Sequence, residues 1–113
     1  ALKLVNWWDL KGVNKLAFRL FPEGHGSHAT PSEIAVTQAA YPDRIKTVAA
    51  PLEPRIAPTG PIRDALDYRA RFPDGRIGSD PLLATPEKGR ELIEAAVPAL
   101  LADVAAFSAE VQP

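Results

Sequence analysis

Residues Leu2–Trp8 read L-K-L-V-N-W-W, and the reading of this run decides the fold class. Leu2, Leu4, Val5, Trp7 and Trp8 are apolar, strand-forming types dominate, and Asn6 is the only neutral polar residue. The run therefore reads as a buried strand. Such a strand needs neighbours on both sides within a sheet. At most two further short strands are visible, one of them "RIKTVA" from Arg44 to Ala49. The expected class is α/β, incomplete as a single chain, with partner strands drawn from an N-terminal part of the same protein or from another subunit.

Outward from this run, Leu16, Ala17, Leu20 and Phe21 have helical spacing and predict a short helix. Pro22, Gly24 and Gly26 make Pro22–His28 a loop. Thr30 then offers an N-cap, Pro31 suits the first helical position, and Glu33 stands three residues after the cap. Together they predict a capping box and a helix that ends at Tyr41, before Pro42. From residue 51 to 84 the chain reads as an irregular, proline-rich segment, with one or two helical turns within "GPIRDALDYRARF" and turn chemistry in "PDGRIGSDP". Thr85 and Pro86 repeat the cap-and-proline device. Leu92, Ile93, Ala96, Val97, Leu100, Leu101, Val104 and Phe107 form an apolar stripe, which Pro98 is expected to kink or divide. Residues 1–50, 51–84 and 85–113 are thus three stretches of one domain.

Composition bounds the function. The 113 residues carry 13 basic and 14 acidic side chains, which gives no pull toward nucleic acid or an anionic membrane. No uninterrupted apolar run approaches the length of a membrane span. Absence of cysteine removes disulfides and thiolate chemistry and fits a cytoplasmic location. The first residues have no signal-peptide pattern and no initiator methionine, as expected of a processed product, a fragment or one piece of a longer protein.

The stretch Glu23–Glu33, "EGHGSHATPSE", holds both histidines, and three readings of it stay open. His25 and His28 at H-x-x-H spacing, with Glu23 or Glu33, have the ligand types of a metal site. His28, just before a helix N-terminus, suits proton transfer near neutral pH, with Glu33 orienting it. The third reading is structural: a glycine turn, a cap, and two polar loop residues. Trp7 and Trp8, at the end of the expected strand, would face opposite ways, one toward the core and one toward a cleft.

Three motifs in order resemble the creatininase (creatinine amidohydrolase) family. "GSHATPSEIAVTQAAYPDRI" is similar to the family's H-A-G-x-x-E-T-S segment through His28, Ala29 and Glu33, with Thr30 for the glycine and Ala35 for the serine. "GRIGSDPLLATPEKGRELIEAAV" resembles G-x-x-G-D-P-x-x-A-T-x-E-K-G through Gly75, Gly78, Asp80, Pro81, Ala84, Thr85, Glu87, Lys88 and Gly89, with Ser79 inserted. "VNWW" resembles the strand that ends in an aromatic pair beside the active site.

The resemblance implies a three-layer α/β/α fold, a hexamer-type homo- or hetero-oligomer, and hydrolysis of a cyclic amide or formamide-type C–N bond. It implies two divalent ions (zinc, manganese or iron) for the complete enzyme, held by E-x-H and H-E stretches in an N-terminal half. This chain has neither stretch, so no metal is expected on the chain alone. It also implies His28 as the proton shuttle with Glu33 supporting it, and Trp7, Trp8 and Ser27 at the small-molecule amide substrate. Ser27 stands where some members carry a glutamate, which argues against creatinine itself. The chain is thus expected to be the C-terminal portion of such an enzyme, with an N-terminal half or companion chain as partner and with no nucleic acid or membrane partner. The alternative is a non-catalytic structural or binding subunit of the same fold. A third reading is a free-standing metal binder built on His25 and His28.

Overall fold

The computed structural model describes residues 1–47, 49–50, 52–56, 61–76 and 78–110. Four α-helices organise them: α1, Val13–Leu20; α2, Pro31–Ala40; α3, Ala65–Arg71; and α4, Pro86–Glu110. Single 3-10 turns lie at Trp7–Asp9, Pro42–Arg44 and Pro81–Leu83. Among the described residues there is no β-strand, only one isolated parallel bridge between Ile56 and Gly78.

This corrects the strand expected at residues 2–8. Ala1–Asn6 is not a strand, and Trp7–Asp9 turns into a 3-10 helix. Leu2 and Leu4 are 95% and 93% exposed. Apolar composition alone does not make a strand; a ladder partner must satisfy its backbone groups. The second expected strand fails in the same way. Arg44 closes a 3-10 turn, Ile45–Thr47 is irregular, and Val48 lies outside the described residues. The three-layer sheet arrangement is therefore not seen among the described residues.

The helices follow their local signals. Thr30 caps α2 in a complete capping box, with Pro31 at the first position. Lys88 N–H donates to the Thr85 hydroxyl at 3.3 Å at the start of α4. Asp64 accepts from Leu66 and Asp67 N–H groups at 2.8 and 2.9 Å and starts α3. α1 begins after Gly12, whose φ of 85° sets the turn.

α2 against α4 is the principal packing of the molecule. A Cβ on Gly89 would lie 1.9 Å from the Ala35 carbonyl oxygen, so the helices approach more closely than any side chain at that position allows. The core is Leu10, Val13, Ala17, Phe21, Ala35 and Leu92, with Trp7, Leu16, Val36 and Ala96 packed around it. Burying Phe21, Leu92 and Val13 completely contributes roughly 1.5–3 kcal/mol each.

Two expectations about α4 change. Pro98 does not divide it; the helix is continuous from Pro86 to Glu110. Pro98 and Glu94, whose carbonyl loses its partner, are both exposed, so water can satisfy the freed group. The apolar stripe is only half used. Leu92 is buried, whereas Val97, Leu100, Leu101 and Val104 are 45–66% exposed. α4 is also long and apolar enough, by length and composition, to cross a membrane, which a search for uninterrupted apolar runs overlooks. Its first turns pack on α2, and Asp103 pairs with Lys3 at 2.7 Å.

Candidate functional site

The Glu23–Thr30 loop is moored to the Gly78–Leu83 segment from end to end. Ser27 N–H donates to the Gly78 carbonyl at 2.8 Å, and Asp80 N–H to the Gly24 carbonyl at 2.8 Å. The Ser79 hydroxyl donates to the Ala29 carbonyl at 2.6 Å. Gly26 has φ 64°, and a Cβ there would lie 1.3 Å from the Gly78 oxygen. Only glycine permits this contact. Ala29 carries a left-handed φ of 46°, a strained conformation for a residue with a Cβ.

A hydrogen-bond chain ties the same loop to the first turn of α2. The Thr30 hydroxyl donates to Glu33 Oε2 at 2.9 Å and accepts from Glu33 N–H at 3.2 Å. Its single proton is thereby used, so the Ser32 hydroxyl, 2.9 Å away, is the donor to Thr30 Oγ1. Ser32 has then used its own proton, and His25 Nε2, 3.0 Å away, must donate to Ser32 Oγ. Donor counting thus makes His25 Nε2 a hydrogen-bond donor. Its Nδ1 is buried with no hydrogen-bond partner among the described residues. The His25 ring also packs on Phe18, with centroids 4.6 Å apart. Glu33 Oε2 receives a further bond from Thr30 N–H at 3.0 Å, completing the capping box.

The residues expected at the site divide between cavities. Trp8, Ser27 and Glu33 line a cavity of about 220 Å³, together with Phe18, His25 and Thr30. His28 lines a different cavity of about 350 Å³, with Ala29, Arg55, Arg76 and Ser79. Trp7 faces neither; it lines an apolar groove with Leu10, Val36 and Leu92. Trp7 is half-buried and Trp8 is 40% exposed, their rings edge to face at 5.7 Å. The two tryptophans therefore do separate into a core-side and a cleft-side residue, on a 3-10 turn and not on a strand.

Two features escaped the sequence. His25 has an assignable role, because Ser32 lies seven positions away, a pairing only the fold creates. Arg55 and Arg76 come beside His28 through long-range backbone bonds. Among the described residues no three His, Asp or Glu side chains converge as metal ligands would. The H-x-x-H pair does not form a shared site: His25 is committed to Ser32 and lines one cavity, and His28 lines the other. The donor set of the described residues does not fit the family's metal centre.

The family model for creatininase, creatinine amidohydrolase, matches residues 1–104 of the chain. No curated protein gives a significant match. The chain belongs to the creatininase family, which implies amide-bond hydrolysis, in enzymes that generally use divalent metals.

Proposed function

We propose that this creatininase-family chain supplies the proton-handling wall of a metal-dependent amidohydrolase acting on a cyclic amide or formamide-type C–N bond. The metal ions, zinc, manganese or iron, belong on residues outside this chain, in an N-terminal half or companion chain. Bound there, they would supply an activated water.

One observation carries the reading: the loop that bears His28 is held rigid from both sides. The Gly78–Leu83 segment grips it through three hydrogen bonds, and the Thr30–Glu33 capping box fixes where it enters α2. A catalytic imidazole requires such preorganisation, since a displacement of about 1 Å can cost 10²-fold in rate. His28 is exposed on this fixed loop, so its ring can reach a substrate and give a proton to the leaving nitrogen. Glu33 acts through position, locking the cap. Trp8 and Ser27 contribute substrate contact from the neighbouring cavity.

Support for a partner comes from the surface. Leu2, Leu4, Leu101 and Val104 are exposed, an arrangement in which apolar surface awaits a covering chain. The partner completes an oligomer, in which the chain works in the cytoplasm.

The test is amide hydrolysis by the complete or reconstituted enzyme, with a panel of cyclic amides and formamides. His28→Gln should lower kcat by roughly 10²–10⁴-fold with KM little changed. Full activity of that variant, or a complete enzyme that binds no divalent metal, would overturn the reading.

A further inference from the structure

Arg55 and Arg76 have no part in the proton transfer above, yet both line the His28 cavity. Their positions are built. Arg55 N–H donates to the Ser79 carbonyl at 3.0 Å, and Gly78 N–H donates to the Arg55 carbonyl at 2.6 Å. The segment carrying Arg55 is thus joined to the same Gly78–Ser79 step that grips the His28 loop.

Asp74 is not part of the cavity lining and clamps both guanidinium groups. It receives Arg76 Nε at 3.0 Å, Arg76 Nη2 at 2.8 Å and Arg55 Nε at 3.4 Å. Arg76 Nη1 donates to the Glu53 carbonyl at 3.1 Å. Arg76 is therefore held through three nitrogens, while the terminal amino groups of Arg55 have no partner among the described residues. Two cations share the Asp74 carboxylate, so Asp74 alone does not neutralise the pair. The Arg76 side chain and backbone N–H hold the Asp74 carboxyl down to about 2, so this balance persists through neutral pH.

We propose that this cavity is an oxyanion subsite, in which Arg55 and Arg76 hold a carboxylate or phosphate group of the substrate beside His28. Guanidinium forks match the oxygens of either group, and prior fixation of Arg76 reduces the ordering lost on binding. Ala29, the strained residue next to His28, lines the same cavity and is secured there by Ser79. The substrate class narrows accordingly: an amide that carries an anionic group away from its scissile bond, anchored so that the bond is oriented toward His28. The proposal rests on the reading of His28 as the proton carrier.

The experiment is a binding titration on the whole 113-residue chain, which needs no turnover. Inorganic phosphate and acetate are the probes, with chloride at matched ionic strength as the control. Binding is followed by calorimetry and by the NMR signals of the His28 ring. Wild type should bind one of the two oxyanions saturably and beyond chloride. Arg55→Gln should weaken that binding roughly tenfold, the loss expected for one charge-assisted hydrogen bond, and Arg55→Lys should lose less. Phosphate tighter than acetate selects a phosphate-bearing substrate, and the reverse selects a carboxylate. Arg55 is the cleaner probe, because it makes only one 3.4 Å bond to Asp74 and its replacement leaves the Arg76 clamp in place. Absence of saturable binding, or unchanged binding in Arg55→Gln, overturns the subsite. The two readings fail separately. A His28→Gln variant with full hydrolysis and normal oxyanion binding would remove the proton carrier and leave the subsite standing.

Discussion

The His loop with its Gly78–Leu83 brace and the surface formed by Leu2–Val5 with the second half of α4 make opposite use of similar sequence information. In the first, every device finds its partner within the chain: the cap, the close glycine contact, and the hydroxyl relay from His25 to Glu33. In the second, the apolar pattern is stronger, yet Leu2, Leu4, Leu101 and Val104 stay exposed. Hydrogen-bond geometry can be closed by a dozen local residues, whereas an apolar stripe needs a second surface of equal size. The proposed proton-handling wall thus lies where the structure is self-sufficient, and the proposed docking surface where it is not.

The sharpest way to break the comparison is Gly26→Ala. The new Cβ would overlap the Gly78 oxygen at a position that already has positive φ. A loss of about 4 kcal/mol or more is expected, visible in thermal unfolding. A loss below about 1 kcal/mol would mean that the loop is not gripped as described.

Thr30→Ala comes next. It removes the cap and the central link of the relay, at a cost of about 1–2 kcal/mol. The His25 ring should show the change by NMR, since Ser32 loses its acceptor and is free to reverse its bond to Nε2.

A smaller and reversible effect concerns pH. The folded-state value of Asp74 is depressed from 3.8 to about 2, so its contribution is complete above 3.8 and fades as pH falls toward 2. Carboxyl NMR should place its midpoint well below 3.8. A midpoint at the ordinary value would dissolve the arginine clamp.

The smallest effect is expected at Leu101→Lys on the exposed half of α4. Stability of the isolated chain should change by no more than about 0.5 kcal/mol, while assembly with the metal-bearing partner is lost. A large loss of stability in the isolated chain would show that this face is already packed.

Legibility differed by length scale. The α2 cap was readable because Thr30, Pro31 and Glu33 act within one turn, and α4 was readable from Thr85, Pro86 and its periodicity. Family membership was readable because its motifs keep their order along the chain. The strand at residues 2–8 was misread because the same apolar residues serve a strand when a ladder partner exists and an irregular segment when it does not. Of the two outcomes expected at Pro98, division of α4 does not occur, because the penalty depends on whether the freed carbonyl reaches water. At the site, the sequence singled out His28 and Glu33, offered His25 only as a metal ligand, and passed over Arg55 and Arg76.

The sequence by itself determined the starts of α2 and α4, the glycine-rich His loop and the family, all of which depend on residues close in the chain. Only the tertiary structure decided that His25 serves Ser32 while His28 shares a cavity with two arginines. Those neighbours are set by the Gly78–Ser79 step reaching back about 50 residues to the loop, and by Arg55 bonding to the same step. Spacing along the chain carries no record of such contacts, because they form only when separate segments satisfy each other's backbone groups.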